Sequence, residues 1–302
     1  MDSQLQELKQ SGIYVGTSSW KYPGWKGLVY HHNYKTEKAF KEDSLKEYSD
    51  SFTAVGVDHT YYAFPSPQQL LRYEKETPPD FKFVLKAPEQ ATVYRYPRLP
   101  RYGKVAGSMN EHFLDAELLK DSFLIPLKNL GHKAGAIVFE FSKFRSGMIE
   151  SGSEFVKRLD TFLSQVRKTT DIPLAIELRN RNWLVPDYFK VLKRNEVAHV
   201  FNSWTEMPEI EEQWNLSLPF DLSFSVVRLL LKPGTAYQTA VDTFSPYDRL
   251  HLELTQTRQA TAALMRYSMD KSRKAFILVN NRFEGCAPKT IQGILDLLKT
   301  KA

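Results

Sequence analysis

The chain has 302 residues, 42% hydrophobic and 25% charged, with a formal net charge of +6. This composition is that of a globular protein with a full core, and it excludes collagenous, charge-driven disordered and disulfide-framed chains. The lone cysteine, Cys286, rules out an intrachain disulfide and a cysteine-based metal cluster, and no apolar run reaches the length of a membrane span.

The first segment, residues 1–12, is polar and reads as a lead-in without the apolar stretch of a secretory signal. With a single thiol, the expectation is a reduced, cytoplasmic protein. Compact β-branched or aromatic runs then predict strands at Tyr14–Trp20, Ala54–Thr60, Lys82–Ala87, Ala134–Phe141, Pro173–Arg179, Ala198–Trp204, Phe224–Leu231 and Lys274–Asn281. Helical patterns fall between them at about 37–50, 67–77, 110–130, 151–169, 186–195, 247–270 and 287–300. Ser151, Asp187 and Ser245 are expected as caps near helix starts, and Pro67, Pro186 and Pro288 suit first turns. The acidic stretch 205–223 reads as loop more than full helix. Strands alternating with helices in this way predict an α/β fold, a TIM-like (β/α)8 barrel forming a single domain over residues 13–302.

Side-chain alternation sorts each strand into two rows. In Pro173–Arg179 the aliphatic row Leu174, Ile176, Leu178 is expected to face the helices, and Ala175, Glu177, Arg179 the barrel axis. The same reading turns Gly56, Asp58 and Thr60, then Val84 and Lys86, then Ala136, Val138 and Glu140 inward, and His59 outward. Arg228 lies in a run that is apolar on both faces. Asp58, Lys86, Glu140, Glu177, Arg179 and Arg228 thus sit late in their strands, and in a barrel those ends meet on the face that binds ligands.

Segments carrying these residues resemble the YecE-like family, domain-of-unknown-function family 72. The resemblance opens with GTSSWKYPGWKGLVY at 16–30 and continues through Phe52–Pro65, Phe81–Pro88, Ala175–Trp183 and Val227–Leu229 to Asn280–Pro288. The blocks occur in family order. The resemblance implies a TIM-like barrel and a site, with no established activity. Lys86, Glu177, Arg179, Trp183, Arg228, Asn280, Asn281 and Gly285 match the family pattern. The chain departs from it at Gly56 and Asp58, where the family usually has Glu and Asn, and at Val93, where a His is common. It departs again at Glu140, usually Gln, and at Leu230 and Leu231, usually His-Gly. It therefore reads as a divergent member.

Several chemistries fit these residues. Lys86, Arg179 and Arg228 are candidates to clamp a phosphate or carboxylate, since guanidinium forks match oxyanions and Lys adds a point charge. The same three cations also fit a structural ring balanced by Asp58, Glu140 and Glu177. Glu177 is the candidate general acid/base, or else the holder of Arg179 or Lys86. Asn280 and Asn281 are candidate polar contacts or turn formers, and Trp20 and Tyr22 candidate stacking walls or packing residues. No HExxH or comparable histidine cluster occurs, so no metal or other cofactor is implied.

Two basic aromatic stretches, 20–35 and 86–104, open a second function class. In the latter, Arg95, Arg98, Arg101 and Lys104 interleave with Tyr94, Tyr96 and Tyr102. The preferred expectation is an enzyme, or former enzyme, acting on a phosphorylated or other anionic small molecule at the barrel mouth. The alternatives are weak nucleic-acid binding through these loops and a non-catalytic barrel.

Overall fold

The structure, a computed structural model, describes residues 2–299. Eight parallel strands close into a barrel in sequence order: β1 (Ile13–Thr17), β2 (Ala54–Val57), β3 (Lys82–Lys86), β4 (Ala134–Phe141), β5 (Leu174–Leu178), β6 (Ala198–Asn202), β7 (Ser225–Leu229) and β8 (Ala275–Val279). The expected (β/α)8 architecture is the observed one. The closing seam joins β8 to β1 with Ile13 opposite Ala275 and Thr17 opposite Val279. Gly16 makes the first seam close enough to form: a Cβ there would lie 1.8 Å from the Ala54 carbonyl oxygen.

The alternation works as the strand patterns predict. Val84, Ala136, Val138, Ala175, Ala198, Val200, Val226 and Leu278 form one buried apolar cluster inside the barrel. The outward rows, such as Leu174, Ile176 and Leu178, join the larger core beneath the helices. Val226 in the inner cluster settles the face of Arg228, two residues on, as inward. The barrel is thus plugged with small and medium aliphatic residues together with Phe224 and Phe276, and the charged groups cap the plug at its C-terminal end.

Several boundaries differ from expectation. Apart from β4, which has the expected bounds Ala134–Phe141, the strands stop one or more residues early at the mouth. After β2 the chain turns into a 3-10 segment, Asp58–Tyr61, so Thr60 does not continue the inward row. Its hydroxyl instead donates to the carbonyl oxygens of Val57 (2.8 Å) and Lys86 (2.6 Å). The helix expected from 247 begins at Thr255, and a separate helix, Tyr237–Phe244, precedes it. Ser245 therefore follows a helix rather than starting one, because Pro246 cannot extend it. Ser151 caps Gly152–Arg167 through the amide of Glu154, whereas Asp187 lies inside Pro186–Arg194 and pairs with Lys190 at 2.8 Å. The acidic stretch contains a short helix, Ile210–Ser217.

Ahead of β1, Asp2–Gln10 is helical. Leu5 and Leu8 are buried in the main core, and Gln4 Nε2 donates to the Leu295 carbonyl at 2.8 Å. Among the described residues, no helix is long and apolar enough to cross a membrane.

Candidate functional site

The inward rows of β3, β4, β5 and β7, together with the turns after β2 and β5, bring six charged side chains together at the C-terminal end of the barrel. Glu140 and Glu177 are register partners on β4 and β5. Arg179 lies just beyond β5 and turns back to bridge both: its Nη2 is 2.8 Å from Glu140 Oε2 and 2.9 Å from Glu177 Oε1, and its Nε donates to the same Glu177 oxygen at 3.1 Å. Arg228 reaches from β7, with Nη1 donating to Glu177 Oε2 and Nη2 to Asp58 Oδ1 at 2.8 Å. Lys86, ending β3, forms an ion pair with Glu140 Oε2. Arg228 Nη1 lies 3.8 Å from that same oxygen.

Three positive and three negative groups therefore balance in this layer. Little water reaches it. The Glu177 side chain is 0% exposed, Arg228 3% and Glu140 4%, whereas Lys86 and Arg179 are each 11% exposed and Asp58 34%. Asp58, Lys86 and Arg179 are thus the members that reach the opening. Burial alone would raise the Glu140 carboxyl, but Arg179, Lys86 and Arg228 outweigh it and hold the group down at about 2. Burial likewise works against the charge of Arg228, and Asp58, Glu177 and Glu140 override it and hold the guanidinium above its ordinary value. Two cations also lie against aromatic faces: Lys86 Nζ is 4.1 Å from the Tyr61 ring centre, and the Arg179 guanidinium 3.7 Å from that of Trp204.

Glu177, the expected acid/base, spends both oxygens on guanidinium groups and none on the opening. Of its two expected roles, this geometry is that of the holder: it fixes Arg179 and Arg228. Tyr22 stands at the mouth, half-buried between Trp25 and Tyr247. Burial pushes its phenol up to about 12, against the pull of Arg282 and with the nearby Asp58 charge adding to the rise.

Of the two roles expected for each, Trp20 takes packing and the asparagines take turn formation. Trp20 is buried, set edge-on to Tyr73 at 5.4 Å and to His59 at 6.4 Å, and so packs toward the helix Pro67–Glu76 instead of walling the mouth. His59 points the same way, outward as expected, with Nε2 3.0 Å from Gln69 Nε2. Asn280 Oδ1 accepts from the Arg282 amide at 3.0 Å. Asn281 Oδ1 accepts from Trp25 Nε1 at 3.2 Å and from the Ala287 amide at 2.8 Å. Both oxygens organise the turn into the last helix. Glu284 completes that turn by holding Arg258 in a buried pair, at 2.7 Å from Nη2.

Other residues at the opening carry no sequence signal of their own. Arg282 stacks on Tyr237 at 4.5 Å and has no carboxylate within ion-pair distance among the described residues. Asn202, register partner of Arg228 at the end of β6, is buried, and its Oδ1 has no hydrogen-bond partner. Trp204 lies just beyond it. Arg282 falls in the Asn280–Pro288 block and Trp204 closes a predicted strand, which are the only sequence pointers to them.

At several departures from the family pattern the local packing is visible. A Cβ on Gly56 would come within 3.0 Å of the Ser18 backbone, so a larger inward side chain has no room there. Leu230 and Leu231 bury against Ala240 and Phe244, anchoring the helix Tyr237–Phe244. Val93 is buried and ends the short helix Glu89–Thr92.

The two basic loops follow β1 and β3 and so emerge on the mouth side. Part of their charge is already engaged. Arg101 Nη2 donates to Glu89 Oε2 at 3.1 Å and the guanidinium stacks on Tyr62 at 4.6 Å, while Arg95 Nη1 donates to the Gly107 carbonyl at 3.0 Å. Among the described residues, no group of His, Cys, Asp and Glu is arranged to hold a metal ion.

The chain and its fold are similar to known proteins. Over 180 residues the chain is 26% identical to the UPF0759 protein YunF of Bacillus subtilis (strain 168), covering 59% of this chain and 54% of that one. Over 76 residues it is 34% identical to the UPF0759 protein YecE of Escherichia coli (strain K12), covering 25% and 24%. The chain thus spans about half or less of the length of these curated relatives. Its fold is similar to the crystal structure of a DUF72 family protein (EF0366) from Enterococcus faecalis V583, with a TM-score of 0.64, 18% identity and 96% of each chain covered. It is also similar to that of a DUF72 family protein (TM1631) from Thermotoga maritima MSB8, with a TM-score of 0.59, 19% identity and 95% and 99% covered. Residues 14–302 match the family described as "Protein of unknown function DUF72", and the chain belongs to that family.

Proposed function

We propose that the chain binds an anionic small molecule, a phosphate ester or a carboxylate, at the C-terminal mouth of the barrel. One observation carries this reading: cations from three strand ends, Lys86, Arg179 and Arg228, converge on a single carboxylate oxygen of Glu140. Convergence of ammonium and guanidinium donors on one oxygen is the chemistry that recognises oxyanions. Lys86 and Arg179, which reach the opening, take the charged group, and Arg282 adds an uncompensated charge beside it. Asp58, with one oxygen on Arg228 and partial access to water, accepts from ligand hydroxyls. Trp204, Tyr22 and Tyr237 flank the uncharged portion.

Glu177 has a positioning role in this reading: it holds two guanidinium groups at fixed angles. Any proton transfer at the mouth falls to the accessible Asp58. The test is a thermal-shift screen of phosphate esters and carboxylates at constant ionic strength, because a ligand of the native state raises the melting temperature by mass action. A saturable shift that Arg282→Ala or Lys86→Met moves to higher ligand concentration supports the reading, and flat curves across the screen reject it.

A second reading rests on Tyr62, which is 55% exposed with Arg101 stacked on it. An exposed aromatic–arginine pair is a platform for a nucleobase. Glu89 beside Arg101 weakens it as a polynucleotide surface, so this reading ranks below the first.

A further inference from the structure

We infer that the Glu140 carboxylate occupies the anion position of the mouth, so that this chain carries as part of its own fold the charged group a ligand would otherwise supply. The inference rests on the anion-binding reading above and deepens it. Arg179 and Arg228 already have a dedicated holder in Glu177, which gives one oxygen to each. Glu140 is arranged differently. Its single Oε2 is shared by Lys86, by Arg179 at 2.8 Å and, at the longer 3.8 Å, by Arg228. Cations from β3, from the end of β5 and from β7 thus gather by ion pairing at one buried oxygen carried by β4 that has no well-aligned hydrogen bond, as they would gather at one oxygen of a phosphate or carboxylate.

Charge counting leads to the same place. With Glu140 present, Lys86, Arg179 and Arg228 balance Asp58, Glu140 and Glu177. Without it, the layer holds one uncompensated buried positive charge, which a low-dielectric site tolerates poorly and which a small anion relieves. Lys86 and Arg179, each 11% exposed, mark the side from which that anion enters. The ligand class is therefore an oxyanion of carboxylate or phosphate size. In the intact chain it must displace the Glu140 carboxylate from its cations, which makes Glu140 an internal competitor that sets affinity and favours dianionic over monoanionic groups.

The experiment is anion rescue of Glu140→Ala, followed by thermal melting in formate, acetate or inorganic phosphate against chloride at matched ionic strength. The expected result is a variant that melts below the parent and regains most of the loss, saturably, in formate or phosphate but not in chloride. A destabilised variant that no oxyanion restores would show that Glu140 is only one member of a structural ion-pair ring, and a variant as stable as the parent would overturn the idea as well. Should Glu140→Ala not fold, titration of Glu140→Gln with phosphate decides: binding at least tenfold tighter than the parent supports the inference, and equal binding overturns it. The two readings separate cleanly. Rescue of the variant with no phosphate-ester binding by the parent leaves the internal anion standing and removes the proposed function. Equal binding by parent and variant does the reverse.

Discussion

Glu140 and Glu177 face each other as register partners on adjacent strands, and a single guanidinium nitrogen of Arg179 touches both carboxylates. Like charges directly opposite on a sheet repel, and the inside of a barrel does little to screen them. Arg179 is thus the group that lets two acids end neighbouring strands. Arg179→Met is expected to destabilise the fold by about 3–5 kcal/mol, the scale for removing one partner from a buried pair. Arg179→Lys recovers only part of this, because an ammonium cannot span both acids as the guanidinium does. Urea unfolding measures the loss. Adding Glu140→Gln to Arg179→Met then tests the cause: if repulsion is responsible, the double variant is more stable than Arg179→Met alone.

Acid sensitivity follows from one carboxyl and two imidazoles, Glu140, His199 and His59, with opposite chemistry and one sign. The Glu140 carboxyl sits at about 2 in the folded chain, below its ordinary value, so its contribution is fully present above about pH 4.5 and is lost as the pH falls toward 2. His199 is buried, with Nε2 at 3.2 Å from Gln213 Oε1 and Nδ1 at 3.0 Å from the Tyr188 hydroxyl. Burial drives its imidazole down to about 4, and the bond to Gln213 opposes this only in part. The unfolded chain therefore takes up a proton near pH 6.5 that the folded chain refuses, and stability falls from there to about pH 4. By linkage the His199 contribution is of order 3 kcal/mol. Burial, with Lys21 beside it, also holds His59 down to about 4, so it shares this interval; denaturant midpoints between pH 7 and 4 should fall less steeply in His199→Gln, and midpoints between pH 4.5 and 2 less steeply in Glu140→Gln. A slope unchanged in either variant places the proton uptake elsewhere.

The barrel was legible because two periodicities agree. Apolar alternation within segments such as Pro173–Arg179 marked the inner and outer rows, and helical segments between them required parallel strands. The charged strand ends were legible for the same reason, since alternation assigns Glu140 and Glu177 inward without knowledge of their neighbours. Pairing was not legible. That Lys86 meets Glu140 while Arg228 spans Glu177 and Asp58 depends on side-chain reach across a closed barrel, which spacing along the chain does not encode. Loop residues were harder still. Trp20 lies two residues or more beyond its strand, where alternation no longer applies, and the fold turns it under a helix. Asn281 was readable as polar at a strand end, but its bond to Trp25 joins segments 256 residues apart. Arg282 has no periodic signal, and only its stacking on Tyr237 and the pull of its charge on the Tyr22 phenol mark it as a group of the mouth.

The last prediction separates the mouth from the basic loops around it. Arg282 stacks on Tyr237, which is itself 50% exposed, so Arg282→Ala is expected to change stability by less than about 0.5 kcal/mol. The same change should weaken phosphate-ester binding at the mouth roughly tenfold, the scale of one lost charge-assisted hydrogen bond. Neutralising Arg95, Arg98 and Arg101 together should leave that binding within a factor of two. It should instead weaken any polynucleotide affinity and lower its dependence on salt, because each phosphate contact removed releases fewer counterions. Glu89 offsets Arg101, so the salt slope should fall by fewer contacts than the three arginines removed. Calorimetry with a phosphate ester, set beside fluorescence titration of a labelled single strand over a salt series, measures both effects on the same variants. A loop variant that loses the small anion, or an Arg282 variant that loses only the polynucleotide, would reverse the assignment of the two surfaces.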